Sequence, residues 1–241
     1  MTKETVVLLP GYDGDGQGTF AKLSQLLRTK YRCIIINYPY YLQTSKSYSL
    51  SELIDHVRQQ IKKKGNEKFH MLGFSMGGFL ASAYVSQYPE DIVSLTLVSS
   101  SVRPNVTKTY QALIILAYYA FKVPFLARLF STIYSSPLLS DLVKNSPLPL
   151  PRDNFPSREA YPLFGTLANV LYESSTSDTT SLIAHIKQGK SAILFADDTS
   201  FPASIYAPIL TNSGFRVIVK KTGGHAASPD YWNQVASIIL R

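Results

Sequence analysis

The sequence has little of what disulfide-rich, metal-binding or membrane-spanning proteins need. Its 241 residues include one cysteine, Cys33, so no intramolecular disulfide can form. The four histidines lie far apart without a cysteine cluster, which excludes the usual metal-ligand spacings. The longest apolar run, residues 112–121, is too short to span a bilayer and is followed by Lys122 and Pro124. We therefore expect neither a metal site nor a membrane span.

The composition favours an ordinary globular protein with a basic surface. Hydrophobic residues make up 45% and charged residues 17%, and 24 Lys and Arg against 16 Asp and Glu give a net charge of +8. A positive surface attracts acidic partners. The sequence contains no nucleic-acid-binding motif, however, and Lys62–Lys64 is typical of a solvated helix face. Because the N-terminal residues do not form a signal peptide, we expect a cytoplasmic protein, and we expect a monomer that binds no nucleic acid.

The chain is organised around a strand, a tight turn and a helix between residues 68 and 88. Apolar residues 69–72 predict a buried strand, residues 73–78 are Gly-Phe-Ser-Met-Gly-Gly, and an apolar helix follows up to Gln87. Such a turn holds its central serine, Ser75, exposed in a strained backbone conformation, and the flanking glycines avoid collisions with neighbouring backbone. Ser75 also precedes a helix N-terminus, which favours a developing negative charge. The alternative is a turn rich in Gly and Ser without chemistry.

Alternating strand and helix patterns predict an α/β fold, with a mostly parallel sheet of about six strands and helices on both faces. The predicted strands are residues 5–9, 33–37, 69–72, 92–99, 191–196 and 215–220.

One long segment interrupts this alternation. Residues 104–189 show helical periodicity, contain several prolines and include no convincing buried strand. We therefore expect an α/β core made of residues 1–103 and 190–241, with residues 104–189 inserted as a helical cap.

Two aspartates and one histidine are candidates for the groups that would activate Ser75. Asp197 and Asp198 directly follow a predicted strand, at the carboxyl end where α/β sites lie. One carboxylate is enough to orient an imidazole and to stabilise its charged form. His225 follows the last strand in a Gly-Gly-His loop, from which it can reach Ser75 and accept its proton. The pattern alone leaves the choice between Asp197 and Asp198 open.

A nucleophilic serine of this kind also needs two backbone N–H groups that stabilise an oxyanion. Met76 directly follows Ser75 and would supply one. Tyr12, in the loop after the first strand, would supply the other, since Gly11 before it allows close backbone approach. The Tyr12 side chain would then line the mouth of the pocket. The alternative is that Tyr12 is an ordinary turn residue.

These motifs resemble those of the α/β-hydrolase family with a helical cap. Residues 8–12 are similar to the family's first strand and oxyanion loop, although Pro10 stands where a histidine is usual. Residues 73–78 match its nucleophile motif, and Gly224-His225-Ala226 matches its histidine loop. In residues 198–202 an aspartate precedes a proline by four, as in the family's acid loop. The resemblance therefore implies a triad of Ser75, Asp198 and His225, favours Asp198 over Asp197, and requires no cofactor.

Within that family, the chain is similar to the carboxylesterases of biotin synthesis, which cleave the methyl ester of pimeloyl-acyl carrier protein. The similarity rests on the aromatic Tyr12, on residues 73–78 and on the size of the cap. In those enzymes, basic cap residues dock the acidic carrier protein. The corresponding candidates in this chain are Arg128, Lys144, Arg152 and Arg158.

Aromatic residues of the predicted cap suit a hydrophobic acyl chain. Phe155 and Phe164, together with Tyr12, are the candidates for substrate binding. The alternative is that the two phenylalanines form the core of the cap itself.

Three functions are consistent with these residues. The first is a serine carboxylesterase that acts on pimeloyl-acyl carrier protein methyl ester through an acyl-enzyme. The second keeps the triad but acts as a general esterase, lipase or thioesterase on acyl substrates without a carrier protein. The third is a ligand-binding receptor on the same fold, without catalysis.

Overall fold

The computed structural model contains one parallel β-sheet with six strands in the order β2-β1-β3-β4-β5-β6. The strands are β1 (Glu4–Leu9), β2 (Tyr31–Ile35), β3 (Phe69–Phe74), β4 (Ile92–Val98), β5 (Gly189–Phe195) and β6 (Arg216–Lys220). Each neighbouring pair is parallel, so the predicted fold class is confirmed. The structure describes residues 3–42, 46–65, 68–105, 108–123, 125–126, 129, 160–177, 179, 183, 186–225 and 227–240.

Helices connect these strands and cover both faces of the sheet. They are α1 (Gly16–Leu27), α2 (Pro39–Leu42), α3 (Leu50–Lys63), α4 (Met76–Gln87), α5 (Lys108–Lys122), α6 (Ala160–Thr176), α7 (Ala203–Asn212) and α8 (Pro229–Ile239). A short 3₁₀ helix, Pro89–Asp91, leads into β4.

Residue alternation along the strands divides the core into two layers. Val7 and Leu9 of β1 belong to a buried cluster that includes residues of α3, α4 and α7. Val6 and Leu8, one residue out of phase, belong to a second cluster with residues of α1 and α8. Because successive strand side chains point to opposite faces, a continuous apolar run such as β1 is buried on both sides.

Local capping explains where several helices begin. Ser49 caps α3: its side chain accepts a hydrogen bond from the Glu52 backbone N–H, and the Glu52 carboxylate accepts one from the Ser49 N–H. This reciprocal pair satisfies two N–H groups that the first helical turn leaves free. Ser228 caps α8, with Pro229 at its first position. Both starts agree with the sequence pattern.

The predicted strand ranges differ from the structure by one or two residues at their ends, and one of these differences has a clear physical reason. The second strand is Tyr31–Ile35 rather than 33–37, because Tyr31 and Arg32 pair with β1 although they interrupt the apolar pattern. An edge strand such as β2 tolerates polar side chains. The segment after β2 begins with the short helix α2. Pro39 favours this start because its fixed φ suits the first helical position.

The described part of residues 104–189 contains helices and no strand before β5. Helices α5 and α6 contact each other, with the Tyr118 and Tyr172 rings stacked at 4.0 Å. The Glu173 carboxylate of α6 accepts a hydrogen bond of 2.9 Å from the Leu50 backbone N–H, which attaches α6 to the start of α3. Among the described helices, none is both long and apolar enough to cross a bilayer.

Candidate active site

Ser75 lies in the turn between β3 and α4, and its backbone has the strained conformation that the sequence predicts. Its φ of 53° and ψ of −125° are rare for a residue with a side chain. Three hydrogen bonds hold this geometry: the Ser75 N–H donates to Val98 O, while Ser75 O accepts from the Gly78 N–H and the Ser100 hydroxyl. The conformation projects the Ser75 side chain away from both elements at the carboxyl end of the sheet.

The two outer glycines of the motif make this turn possible. A Cβ added at Gly73 would lie 2.4 Å from Gly77 O, and one added at Gly77 would lie 2.3 Å from the carbonyl oxygens of Leu9 and Pro10. Both contacts are with backbone, which cannot move aside without shifting a strand. Steric exclusion therefore explains glycine at both positions.

The structure brings Ser75, His225 and Asp198 together. His225 Nε2 lies 2.9 Å from Ser75 Oγ, and His225 Nδ1 lies 2.9 Å from Asp198 Oδ2. Ser75 is only 7% exposed, whereas the sequence predicts an open hydroxyl. The difference arises because the His225 ring and the loop at Gly11 lie against it. With Nδ1–H donating to Asp198, Nε2 is free to accept the serine proton.

Asp198 is a buried carboxylate that stays ionised because it is fully hydrogen-bonded. Burial alone would raise its pKa, but the hydrogen bond and charge of His225 lower it. The Phe201 N–H and the Ser99 hydroxyl lower it further, so the pKa of Asp198 lies below its usual range. Its second oxygen, Oδ1, accepts from the Ser200 and Phe201 N–H groups at 2.8 and 2.9 Å. The carboxylate is thereby fixed in direction and in charge.

Asp197, the other candidate acid, binds the histidine loop rather than the imidazole. Its two oxygens accept hydrogen bonds from the backbone N–H groups of Gly223 and Gly224, at 3.1 and 2.8 Å. The N–H of Gly224 and then that of Gly223 lower the pKa of this exposed carboxyl. Asp197 therefore anchors the loop that carries His225.

Two phenylalanines stack on the His225 ring. Phe74, directly before Ser75, has its ring centroid 5.2 Å from the imidazole at an angle of 24°, and Phe201 lies 5.5 Å away at 18°. Both phenylalanines are buried. Neither role has a signal in the sequence, because only the fold brings these rings to the same imidazole.

The loop after β1 lies against Ser75, as an oxyanion loop would. A Cβ added at Gly11 would be 3.5 Å from Ser75 Cβ, so the loop passes in van der Waals contact with the nucleophile position. Met76 is the first residue of α4, where backbone N–H groups lack helical acceptors. Gly11 directly precedes Tyr12, and Met76 directly follows Ser75, so Tyr12 and Met76 stay the predicted oxyanion donors.

Two buried tyrosines donate hydrogen bonds to backbone carbonyls of this loop. The Tyr38 hydroxyl donates to Pro10 O at 2.9 Å, and the Tyr40 hydroxyl donates to Tyr12 O at 2.6 Å. Burial raises the pKa of both hydroxyls well above the usual value, so both remain protonated donors. The two hydroxyls therefore hold the loop backbone at Pro10 and Tyr12.

A third acid, Asp13, is half-buried in the same loop. Burial is the main cause that raises its pKa to about 6, and the neighbouring Asp15 charge raises it further. Hydrogen bonds from the Asp15 and Gly14 N–H groups lower the pKa but do not offset these two effects. Within the described residues its Oδ1 has no hydrogen-bond partner.

Of the remaining predicted residues, only Phe164 belongs to the part of the chain that the structure describes. Phe164 lies in α6 and is buried, which fits a structural role as well as substrate contact. Phe155 and the four docking candidates, Arg128, Lys144, Arg152 and Arg158, lie outside the described residues. In the part of the chain that the structure describes, no three His, Cys, Asp or Glu side chains cluster as metal ligands would.

Comparison with known proteins identifies the architecture. The sequence profile of the alpha/beta hydrolase fold matches residues 4–230. A monoacylglycerol lipase (abhd6-A) of Xenopus laevis is 29% identical over 102 residues, which are 40% of this chain and 30% of the lipase. A 1-acylglycerol-3-phosphate O-acyltransferase of Arabidopsis thaliana is 30% identical over 105 residues, 40% of this chain and 25% of that protein. The matched segments thus span less than a third of these relatives.

A solved structure with the same fold covers almost the whole chain. The esterase EaEST of Exiguobacterium antarcticum superposes with a TM-score of 0.68 at 17% identity, covering 99% of this chain and 91% of that one. At this identity the likeness shows the fold alone.

Proposed function

Because this chain belongs to the α/β-hydrolase fold family, we propose that it is a serine hydrolase that cleaves carboxylic esters through an acyl-enzyme. One observation carries the proposal: a continuous hydrogen-bonded chain joins Ser75, His225 and Asp198 with both links at 2.9 Å. The strained backbone conformation of Ser75 and the ionised, buried Asp198 support it.

In the first half of the proposed reaction, Ser75 Oγ attacks the ester carbonyl carbon while His225 Nε2 takes the hydroxyl proton. Asp198 stabilises the imidazolium that forms and holds its tautomer. The imidazolium then gives the proton to the departing alkoxide oxygen, so an alcohol leaves and Ser75 carries the acyl group. In the second half, water attacks the acyl carbon with His225 again acting as base, which releases the acid.

The negative charge on the carbonyl oxygen is stabilised by the backbone N–H groups of Tyr12 and Met76. Donors of this kind are effective because they are already oriented before the charge develops. The contact between Gly11 and Ser75, and the position of Met76 at the start of α4, support this assignment.

We propose an acyl ester without a carrier protein as the substrate class. The steps above need only an ester carbonyl, and the relatives matched by sequence include monoacylglycerol lipases. Pimeloyl-acyl carrier protein methyl ester is the competing substrate, suggested by the likeness of residues 73–78 to the biotin-pathway esterases. The four basic residues predicted to dock a carrier protein lie outside the described residues.

In this proposal residues 104–189 serve as a cap, which is inserted in the chain between β4 and β5. Helix α6 contacts α4, the helix that directly follows Ser75, and the backbone N–H of Tyr48 donates to the α6 residue Thr166 at 2.9 Å. Phe164, from the same helix, is the described candidate for contact with the acyl group.

A substrate panel tests the proposal. Wild type and Ser75→Ala are assayed on p-nitrophenyl butyrate, a monoacylglycerol, dimethyl pimelate and pimeloyl-acyl carrier protein methyl ester. We expect the wild type to hydrolyse the free esters and Ser75→Ala to hydrolyse none of them. Turnover of the carrier-bound ester alone would overturn the substrate class. Equal turnover by Ser75→Ala, or none by the wild type on any ester, would overturn the serine hydrolase.

A further inference from the structure

The sheet face toward α1 and α8 changes from apolar to polar along the strands. In its carboxyl half, residues such as Val98 and Ile193 are buried in the core cluster that includes residues of α1 and α8. Because residues two apart on a strand share a face, the same face continues toward the amino ends. There it carries polar residues from four neighbouring strands: His70, Ser94, Thr96, Ser191 and Arg216. Polar side chains therefore replace the apolar core at this end of the sheet.

A cavity of about 220 Å³ lies against this polar row. Apolar residues line it as well, among them Ile218 of β6 and Ile238 and Ile239 in the last turn of α8. Hydroxyls on one wall and isoleucines on another give the cavity the mixed lining of a ligand site rather than that of a solvated sheet face. At about 30 Å³ for each water-sized group, it holds a ligand of about seven non-hydrogen atoms.

The cavity is separate from the candidate active site. His70 is the second residue of β3, whereas Ser75 directly follows the carboxyl end of that strand. Five residues at about 3.3 Å each place the two about 16 Å apart along the strand direction. A ligand in the cavity therefore touches none of the residues proposed to act in catalysis.

On the β3 side of the cavity, the polar groups already satisfy one another. His70 Nδ1 lies 2.7 Å from Ser94 Oγ, and His70 Nε2 lies 3.3 Å from Glu4 Oε2. A carboxylate only accepts hydrogen bonds, so in the neutral imidazole Nε2 carries the proton and Nδ1 accepts the Ser94 proton. This side thus has no spare donor, and the Glu4 charge disfavours an anion there.

On the β4 and β5 side, one hydroxyl proton is left over. Thr96 Oγ1 and Ser191 Oγ lie 3.0 Å apart, so one hydroxyl donates to the other. The second hydroxyl keeps its own proton, and neither group has another hydrogen bond with a described residue. Because a hydroxyl has one proton and two lone pairs, the pair offers one donor to a ligand in the cavity.

Arg216, in register with Ser191, adds a permanent positive charge beside that donor. Among the described residues, no acidic side chain lines the cavity, and Arg216 forms no ion pair. A guanidinium binds a planar carboxylate through two parallel hydrogen bonds. The charge and the spare hydroxyl proton therefore favour one carboxylate at the β5–β6 side of the cavity.

We propose that this cavity is a binding site for a short-chain aliphatic monocarboxylate. The carboxylate contacts Arg216 and the Thr96–Ser191 hydroxyl pair, and the alkyl chain packs against Ile238 and Ile239. A single cation matches a single negative charge, and the volume suits about five carbons. The inference is independent of the proposed hydrolase function, since it uses no residue of the candidate active site.

A titration followed by NMR tests the site. The full-length protein, carbon-13 labelled at isoleucine and methionine methyl groups, is titrated with pentanoate up to about 50 mM. We expect saturable shifts of the Ile218, Ile238 and Ile239 methyl signals, with a Kd of about 1 mM or lower. Met76, next to Ser75, reports on binding at the candidate active site instead. Shifts confined to Met76, or no saturable shift of the three isoleucines, would overturn the proposal.

Probe ligands separate the two halves of the proposed recognition in the wild-type protein. Acetate keeps the charge without the chain, and pentan-1-ol keeps the chain without the charge, so each should bind at least about tenfold more weakly than pentanoate. Raising NaCl from about 0.05 to 0.5 M should weaken pentanoate binding about threefold and leave pentan-1-ol unchanged. Equal affinities for pentanoate and pentan-1-ol would refute a carboxylate site.

Arg216→Gln should weaken pentanoate binding about tenfold, because the charged donor is lost. Lys221→Gln is the matched control: it removes the same charge from an exposed residue directly after β6 that does not line the cavity. Equal Kd values in the two variants would overturn the assignment. Because no step needs turnover, a protein that binds pentanoate at these isoleucines but cleaves no ester would refute the hydrolase alone.

Discussion

Asp197 and Asp198 are neighbours in sequence, yet they hold His225 in two different ways. Asp198 Oδ2 contacts the imidazole Nδ1 at 2.9 Å, while the two Asp197 oxygens accept the backbone N–H groups of Gly223 and Gly224 just before it. One carboxylate therefore controls the ring and the other controls the loop. This division gives a matched pair of substitutions.

Asp198→Asn should reduce kcat by about 10³- to 10⁴-fold, because the amide favours the wrong imidazole tautomer. Asp197→Asn keeps one oxygen acceptor for the loop and should lose less than about tenfold. Steady-state kinetics of both purified variants, with circular dichroism to verify folding, measure the difference. Similar losses in the two variants would contradict the assignment of Asp198 as the acid.

Gly77→Ala should disrupt the turn at Ser75. Its Cβ would lie 2.3 Å from two backbone oxygens, so we expect a loss of about 1–3 kcal/mol in the free energy of unfolding and a large loss of activity. Gly189→Ala is the control, since its Cβ would meet only Ser94 Cβ at 3.7 Å. Thermal denaturation and esterase assays of both variants test this; a fully active Gly77→Ala would show that the turn is not required.

Tyr40→Phe should weaken catalysis without unfolding the protein. The substitution removes the hydroxyl that donates to Tyr12 O, which loosens the proposed oxyanion loop. We expect kcat to fall about three- to tenfold at similar KM. Tyr84→Phe, which removes a tyrosine donor to Asp91 instead, serves as the control and should retain kcat. Equal kcat values in the two variants would remove Tyr40 from this role.

Asp13 makes stability depend on pH in an unusual direction. Its folded-state pKa of about 6 lies above the ordinary 3.8, so the folded protein binds this proton more tightly than the unfolded chain. With respect to this group, the free energy of unfolding is therefore highest below about pH 4, and it decreases as the pH rises from about 4 to about 6. Its change over this interval is up to about 3 kcal/mol, an upper bound for full burial.

Asp13→Asn removes this titration, so the stability of the variant relative to the wild type should increase between pH 4 and pH 8. Urea denaturation at a series of pH values measures it. Asp55→Asn, at an exposed position on α3, controls for the loss of one carboxylate. A relative stability of Asp13→Asn that does not change with pH would contradict the buried charge.

Local sequence patterns were sufficient to predict the strand, turn and helix around Ser75, and the capped start of α3. In each case the determining residues lie within a few positions of one another, as with Ser49 and Glu52. The sheet class followed from the alternation of these units, and it is confirmed. The beginning of β2 was missed because its pairing with β1, rather than its own hydrophobicity, defines it.

The supporting contacts of the site could not be predicted in the same way. Tyr40 and Tyr12 are separated by 28 residues, and so are Tyr38 and Pro10. Such pairs have no local signature, since a tyrosine after β2 looks like any core aromatic. The resemblance of residues 198–202 to an acid loop favoured Asp198 over Asp197, but the contact of Asp197 with the loop at Gly223 and Gly224 had no signal in the sequence.

The most direct test of the serine nucleophile is covalent labelling. Wild type and Ser75→Ala are incubated with a fluorophosphonate and analysed by intact-protein and peptide mass spectrometry. The account predicts one adduct per wild-type chain, located on Ser75, slowed strongly by His225→Ala and absent from Ser75→Ala. Labelling of another residue at the wild-type rate in Ser75→Ala, or an unlabelled but folded wild type, would contradict it.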